Sequence, residues 1–146
     1  MIFAPLPGLR QRYLPASPIL TAGGLAIQIA GLALAVWARR NLGRNWSGEI
    51  TVKQDDQLVR SGPYWYVRHP VYTALLAMYT GSAIVSGEFH ALLGWALAVL
   101  AYLRKTKREE GKLIEAFGAD YQNYQSTTGA LLPGLKAFFS QHPHRE

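Results

Sequence analysis

The residues with the most chemistry to offer fall in two places. The first is the run Gly62-Pro63-Tyr64-Trp65-Tyr66-Val67-Arg68-His69-Pro70-Val71-Tyr72, which holds an arginine, a histidine, three tyrosines and a tryptophan in eleven positions. The second is the carboxylate pair Glu109-Glu110, which follows the basic cluster Arg104, Lys105 and Lys107. A carboxylate in a partly desolvated pocket suits a ligand ammonium, an arginine suits a ligand carboxylate, and an aromatic ring beside them can face a soft cation. With no cysteine in the chain, a thiolate nucleophile, a thiolate metal site and a disulfide frame are excluded.

The elements that must position these groups follow from how the apolar residues are distributed. The 146 residues fit one domain, 49% hydrophobic with a net charge of +6. A mean hydropathy of +0.02 conceals long apolar runs alternating with basic ones, the pattern of a small integral membrane protein. A pI of 9.8 raises nucleic acid as a partner, but the positive residues flank apolar runs instead of forming a separate basic face, so none is expected.

Residues 1–17, with three prolines, Arg10 and Arg12, read as an irregular or interfacial lead-in. Residues 18–38 are apolar except for Thr21 and Gln28 and suffice for one membrane span. The run is too long for a signal-peptide core and ends at Arg39-Arg40 without a small-residue cleavage pattern. Residues 39–69 form a polar loop, with a turn expected at Asn45-Trp46-Ser47-Gly48 and extended chain at Glu49-Ile50-Thr51-Val52-Lys53. Gly62 and His69 each precede a proline, which disfavours right-handed helix and predicts a stiff, extended stretch until Pro70 opens a helix. Residues 70–86 and 89–103 are second and third apolar runs, parted only by Ser86-Gly87-Glu88, hence an antiparallel helical hairpin. Runs this short cover about 23 to 26 Å, so the hairpin must thin the bilayer or borrow a turn from its flanks.

Basic residues orient the whole. Arg39, Arg40, Arg44, Lys53, Arg60 and Arg68 lie between the first and second runs, and Arg104, Lys105, Lys107, Arg108 and Lys112 follow the third, whereas the hairpin turn has none. The loop and the tail are therefore expected on the cytoplasmic side and the N-terminus outside. The two chemical groups then emerge on one face of the membrane. In the tail, residues 104–135, the segment from Arg104 to Phe117 has helical periodicity, with Leu113, Ile114 and Phe117 on an apolar face. Glu110 falls near the centre of that face, a costly place for a carboxylate unless a cation meets it. Gly118 should end this helix, Asp120 should cap a further turn carrying Tyr121 and Tyr124, and Pro133-Gly134 should close the ordered part before a frayed end at 136–146. The fold class expected is all-α: a membrane protein with about three transmembrane helices and a cytoplasmic amphipathic tail helix.

An ammonium, a carboxylate and a soft cation occur together in S-adenosylmethionine, one candidate among several on chemistry alone. Leu42-Gly43-Arg44-Asn45-Trp46-Ser47-Gly48, Leu58-Val59-Arg60-Ser61-Gly62-Pro63-Tyr64, Val67-Arg68-His69-Pro70-Val71-Tyr72-Thr73, and Glu109-Glu110 with Phe117-Gly118, Tyr121 and Tyr124 carry a more specific signal. In this order they resemble the isoprenylcysteine carboxyl methyltransferase family and its phospholipid N-methyltransferase relatives, over about 41–135. The resemblance implies a membrane methyltransferase using S-adenosylmethionine at the cytoplasmic rim, with a lipophilic substrate entering from the bilayer. By motif position it implies a cofactor site lined by Tyr64, His69 and Tyr72, with Glu109 and Glu110 taking the cofactor's ammonium or ribose. Arg68 or Arg104 would orient the acceptor. No metal is implied.

Three departures bear on that expectation: Ala74 stands where the family often has glycine, Gln57 where a histidine is common, and further membrane helices usually precede the first one here. A homodimer could supply a missing tunnel wall. The bland readings are Arg68 as an interfacial anchor, the Glu109-Glu110 pair as a solvated helix start, and Tyr121, Tyr124, Trp46, Trp65 and Trp95 as belt aromatics. Other functions to weigh are a non-catalytic membrane partner, a phospholipid amine N-methyltransferase, and, more distantly, a membrane reductase with a nicotinamide cofactor.

Overall fold

A computed structural model describes residues 8–43 and 58–134. The turn expected at Asn45-Trp46-Ser47-Gly48, the extended chain at Glu49-Ile50-Thr51-Val52-Lys53, Gln57 and the frayed end at 136–146 lie outside those residues. Among the described residues the fold is all-α. Helix α1 is Pro18–Leu42, α2 is Pro70–Ser86, α3 is Phe89–Phe117 and α4 is Ala119–Thr127, with a 3₁₀ turn at Gly62–Trp65. Among the described residues one helix, α1, is long and apolar enough to cross a membrane.

Helices α1 and α2 pack antiparallel through their smallest residues. Gly24, Gly31 and Ala38, seven apart, are the buried positions of α1, and Ala74 and Gly81, also seven apart, are buried on α2. A Cβ at Gly24 would strike Val85 and the Gly81 carbonyl, and one at Gly31 would strike the Ala74 carbonyl and Met78. Small residues at this repeat let two backbones approach closely, which is how helices associate where lipid removes the hydrophobic drive between them. Gln28 of α1 adds a hydrogen bond to Ser82 Oγ at 2.9 Å. Trp95 of α3 donates to Thr80 Oγ1 at 2.9 Å, so it ties α3 to α2 and is more than an interfacial anchor. The outward faces stay apolar, with Ile29, Leu32, Leu97 and Leu100 exposed.

The lead-in is not loose at its described end. Tyr13 N and Phe89 N bond across to Gly87 O and Gln11 O at 2.8 and 3.1 Å, and the Tyr13 hydroxyl reaches Ala83 O. The start of α1 and the α2–α3 turn are thereby fixed together. The end of α1, the start of α2, the last turns of α3 and α4 gather at the opposite end.

Four expectations change. First, α1 continues through Arg39-Arg40 to Leu42, residues expected in the polar loop. Second, the stretch before Pro70 is not extended: Gly62 adopts φ +60°, which opens a 3₁₀ turn through Trp65. Pro63 bars Gly62 from the right-handed region, and glycine alone escapes to the left-handed one without strain. A side chain there would also meet Asn41 of α1. Third, α3 runs unbroken for 29 residues through the Leu103/Arg104 boundary, since leaving an apolar environment is no reason for a helix to end. Fourth, Gly118 ends α3 as expected, but it also stands as the residue before α4, which places Asp120 inside the first turn and not at the cap.

Candidate active site at the convergent end

The 3₁₀ turn brings the chain back on itself at Val67, where it pairs with the segment that follows α4. Val67 and Gly129 form a parallel bridge, Arg68 N donates to Gly129 O at 2.8 Å, and His69 N donates to Ala130 O at 3.0 Å. Thr73 Oγ1 donates to Leu131 O at 2.7 Å. A Cβ at Gly129 would collide with the Leu132 carbonyl, so this crossing requires glycine. The Tyr124 hydroxyl bonds the Tyr64 carbonyl, and Tyr64, Tyr121 and Tyr124 are 8%, 1% and 6% exposed. These rings are the core of this end, not belt aromatics.

On this frame the two chemical groups of the sequence meet. The Arg68 guanidinium holds Glu110 Oε1 through Nε at 2.8 Å and Nη2 at 2.6 Å, while Nη1 donates to the carbonyls of Gln125 and Thr128. Every nitrogen of Arg68 is thus engaged with the protein. Gln125 Nε2 donates to the other Glu110 oxygen at 3.0 Å. The carboxylate expected to be costly on an apolar helix face has found its cation. His69 lies between the two acids, Nε2 at 3.3 Å from Glu110 and Nδ1 at 3.5 Å from Glu109. Only the imidazolium carries a proton on both nitrogens and can face both carboxylates favourably.

Glu109 accepts from the Tyr72 hydroxyl. The Tyr72 ring stacks on His69 at 5.7 Å between centroids, with planes 9° apart, and meets Tyr102 at 5.0 Å. Lys105 Nζ lies over the Tyr72 ring, 5.2 Å from its centroid, a cation–π contact beside Glu109. Two buried hydroxyls, Thr106 Oγ1 and Tyr121 OH, have no hydrogen-bond partner among the described residues.

Burial by itself would raise both carboxyls and depress His69. Hydrogen bonds from His69 and Arg68, the Arg68 charge and Gln125 more than offset it at Glu110 and hold that carboxyl at about 2. Glu109 is lowered against its own burial by His69, Tyr72 and Lys105. Burial disfavours the charged His69, yet the hydrogen bonds and charges of Glu109 and Glu110 outweigh it and raise the imidazole above its ordinary value. Burial, with Glu109 nearby, pushes the Tyr64 hydroxyl up to about 12. The cluster is an alternating network of two cations and two carboxylates.

Of the residues singled out in the sequence, Tyr64, Arg68, His69, Tyr72, Glu109 and Glu110 are brought to this end. Arg104 is exposed, roughly 140° around α3 from Glu109 and roughly 120° from Glu110 at 100° per residue. The cation of the basic cluster that reaches this network is Lys105, exposed but lying over the Tyr72 ring. Gln125, Tyr102, Thr128 and Gly129 were not singled out. Helical spacing could have found Tyr102 and Lys105, which share a face with Glu109, but nothing local marks residues 125–131 as partners of Arg68.

Chains of known identity resemble this one. The model of the isoprenylcysteine carboxyl methyltransferase family matches residues 24–115. Protein-S-isoprenylcysteine O-methyltransferase of Rattus norvegicus is 31% identical over 120 residues, 80% of this chain and 42% of that one. Methanethiol S-methyltransferase of Pseudomonas deceptionensis is 40% identical over 75 residues, 50% of this chain and 27% of that one. A solved eukaryotic intramembrane Ras methyltransferase, an isoprenylcysteine carboxyl methyltransferase, superposes with a TM-score of 0.74 at 26% identity, covering 81% of this chain and 43% of that chain. The chain spans less than half the length of these relatives.

Proposed function

The chain belongs to the isoprenylcysteine carboxyl methyltransferase family, and we propose that it transfers a methyl group from S-adenosylmethionine to a lipophilic acceptor within a membrane. The observation that carries this reading is the meeting of Glu109 and Glu110 with Arg68, His69 and Tyr72 at the end of the helical hairpin. In this reading α1, α2 and the apolar part of α3 span the bilayer, the N-terminus lies outside and the cluster lies at the cytoplasmic rim.

The donor set fits the cofactor. Glu109 offers a carboxylate to an ammonium, and the Tyr72 ring, already facing the Lys105 ammonium, shows that its face accepts a cation. The buried Thr106 hydroxyl, without a partner among the described residues, is a further polar atom a bound ligand would satisfy. When bound, S-adenosylmethionine supplies a methyl group on a sulfonium, whose charge disperses as the methyl carbon passes to a nucleophile in line. What the chain must provide is alignment and exclusion of water. Arg68, with its nitrogens committed, fixes Glu110 and the segment after α4; Lys105, with one face to Tyr72 and otherwise exposed, is the cation placed to orient an acceptor carboxylate. A carboxylate acceptor needs no general base, and His69 is held by two carboxylates.

The acceptor class favoured is the carboxylate of an isoprenylcysteine-like or other lipid. A thiol is a second reading, favoured by the 40% identity to methanethiol S-methyltransferase. A homodimer is a source of further walls for the acceptor. The test is reconstituted protein given methyl-tritiated S-adenosylmethionine with S-farnesylcysteine, methanethiol or phosphatidylethanolamine in parallel. Label in the farnesylated ester is expected; label in the thiol alone selects the second reading, and label in the phospholipid amine alone overturns both. Failure of the protein to bind the cofactor at all would sink the methyltransferase reading in favour of a non-catalytic partner.

A further inference from the structure

The continuity of α3 fixes where its basic residues point. At about 100° per residue, Leu93, Leu97, Leu100, Arg104, Lys107 and Arg108 fall within an arc of roughly 100°. All six are exposed, and the leucines are 50%, 58% and 51% so. The opposite face carries Tyr102, Lys105, Glu109 and Glu110 into the cluster. One helix therefore presents a single outer stripe that is apolar for its first turns and cationic for the next. Had the helix broken at Leu103, the azimuth of the cations would be independent of the leucines; unbroken, both must face the same surroundings.

From this stripe we propose that Arg104, Lys107 and Arg108 form a binding surface for anionic lipid headgroups of the leaflet adjoining the active site. The inference rests on the membrane placement of α3 given above. If the exposed leucines lie against acyl chains, Arg104 sits about 6 Å beyond Leu100 along the axis and Arg108 about 6 Å further. The spacing of about 6 Å between Arg104 and Arg108 matches one headgroup layer of about 5 to 7 Å, since the polar regions add about 10 to 15 Å to a core of about 30 Å over both leaflets. The charge is complementary to lipid phosphates; Glu109 lies roughly 150° around the helix from the middle of the stripe, and Glu110, roughly 60° from Lys107, is already held by Arg68 and Gln125. A second copy seated here would bring identical cations together, which disfavours that occupant.

The test uses the full chain in liposomes of phosphatidylcholine containing trace spin-labelled phosphatidylglycerol or spin-labelled phosphatidylcholine. The motionally restricted fraction reports lipid at the protein surface. Wild-type protein is expected to enrich the phosphatidylglycerol label. Replacing Arg104, Lys107 and Arg108 together by glutamine should lower that enrichment by about fivefold or more, the value of one basic residue at an anionic surface being about fivefold. Lysine at 104 and 108 should retain it, and Arg10→Gln, at the other end of the molecule, should leave it unchanged. Inorganic phosphate at matched ionic strength should not displace the label; displacement would make this a soluble-anion site and overturn the proposal. Enrichment in the triple glutamine variant equal to wild type would also overturn it. Flotation of the liposomes separates the two readings: protein that does not float refutes the membrane placement, whereas protein that floats without lipid preference refutes only the headgroup surface.

Discussion

Removing the Arg68 guanidinium should unfasten the convergent end of the molecule. Its side chain and that of Glu110 are 9% and 13% exposed, joined by contacts of 2.6 and 2.8 Å. Breaking a buried pair by deleting one partner leaves an uncompensated charge and costs about 3 to 5 kcal/mol. Here His69 and Gln125 also hold Glu110, so part of the compensation survives, and about 2 to 3 kcal/mol is expected for Arg68→Gln. The carbonyls of Gln125 and Thr128 lose their donor as well. Arg68→Lys should recover only part of the loss, because one ammonium cannot reach Glu110 and both carbonyls from a single position. The assay is denaturant unfolding of reconstituted protein followed by helicity, with the cycle Arg68→Gln, Glu110→Gln and the double variant. The double variant should be less destabilised than the sum of the singles, since neutralising both partners leaves neither charge of that pair buried without its counter-ion. Additive effects, or an Arg68→Gln loss under about 0.5 kcal/mol, the size of an ordinary surface substitution, would refute the clasp.

Glu109→Gln should weaken S-adenosylmethionine binding by about 1.5 to 3 kcal/mol in calorimetry, as a charged hydrogen bond to the ligand is lost. Lys105→Gln should raise the KM for a carboxylate acceptor more than Arg104→Gln does; the reverse order in steady-state kinetics would contradict the helix faces. Acid and base should each loosen the cluster. Glu110 is lowered from 4.5 to about 2, so its contribution is full above 4.5 and lost as pH falls toward 2. His69 is raised above 6.5, so its contribution is full below 6.5 and lost as pH rises through the folded value. Unfolding midpoints should therefore show a cluster-dependent maximum between 4.5 and 6.5 whose alkaline limb disappears in His69→Gln. Gly81→Val should separate α1 from α2 and cost about 3 kcal/mol, because the new side chain meets the Gly24 backbone and Gln28; unchanged thermal unfolding would refute the packing.

Much of the site could be seen in the chain because it is written as short, local groups. Pro70 at the first position of α2 and Gly118 after α3 act through their own backbones, so the helix ends they imply are where they were expected. The apolar runs gave the all-α class for the same reason. The close α1–α2 contact was written as well, in the seven-residue spacing of Gly24, Gly31 and Ala38, but small residues carry little signal in a hydropathy reading.

From sequence alone came the elements, the two chemical groups and the prediction that a cation must meet Glu110. Each depends on residue type, on periodicity or on a proline or glycine acting over one or two bonds. Tertiary structure alone decided which cation that is, because Arg68 and Glu110 are 42 residues apart and only packing converts that separation into 2.6 Å. It likewise set Lys105 against the Tyr72 ring beside Glu109 and left Arg104 on the outer side: helical spacing fixes which of the two shares a face with Glu109, but the ring that meets Lys105 comes from α2. And it laid residues 125–131 across the start of α2, mainly through backbone hydrogen bonds, in which Gly129 is required only because the Leu132 carbonyl arrives beside it.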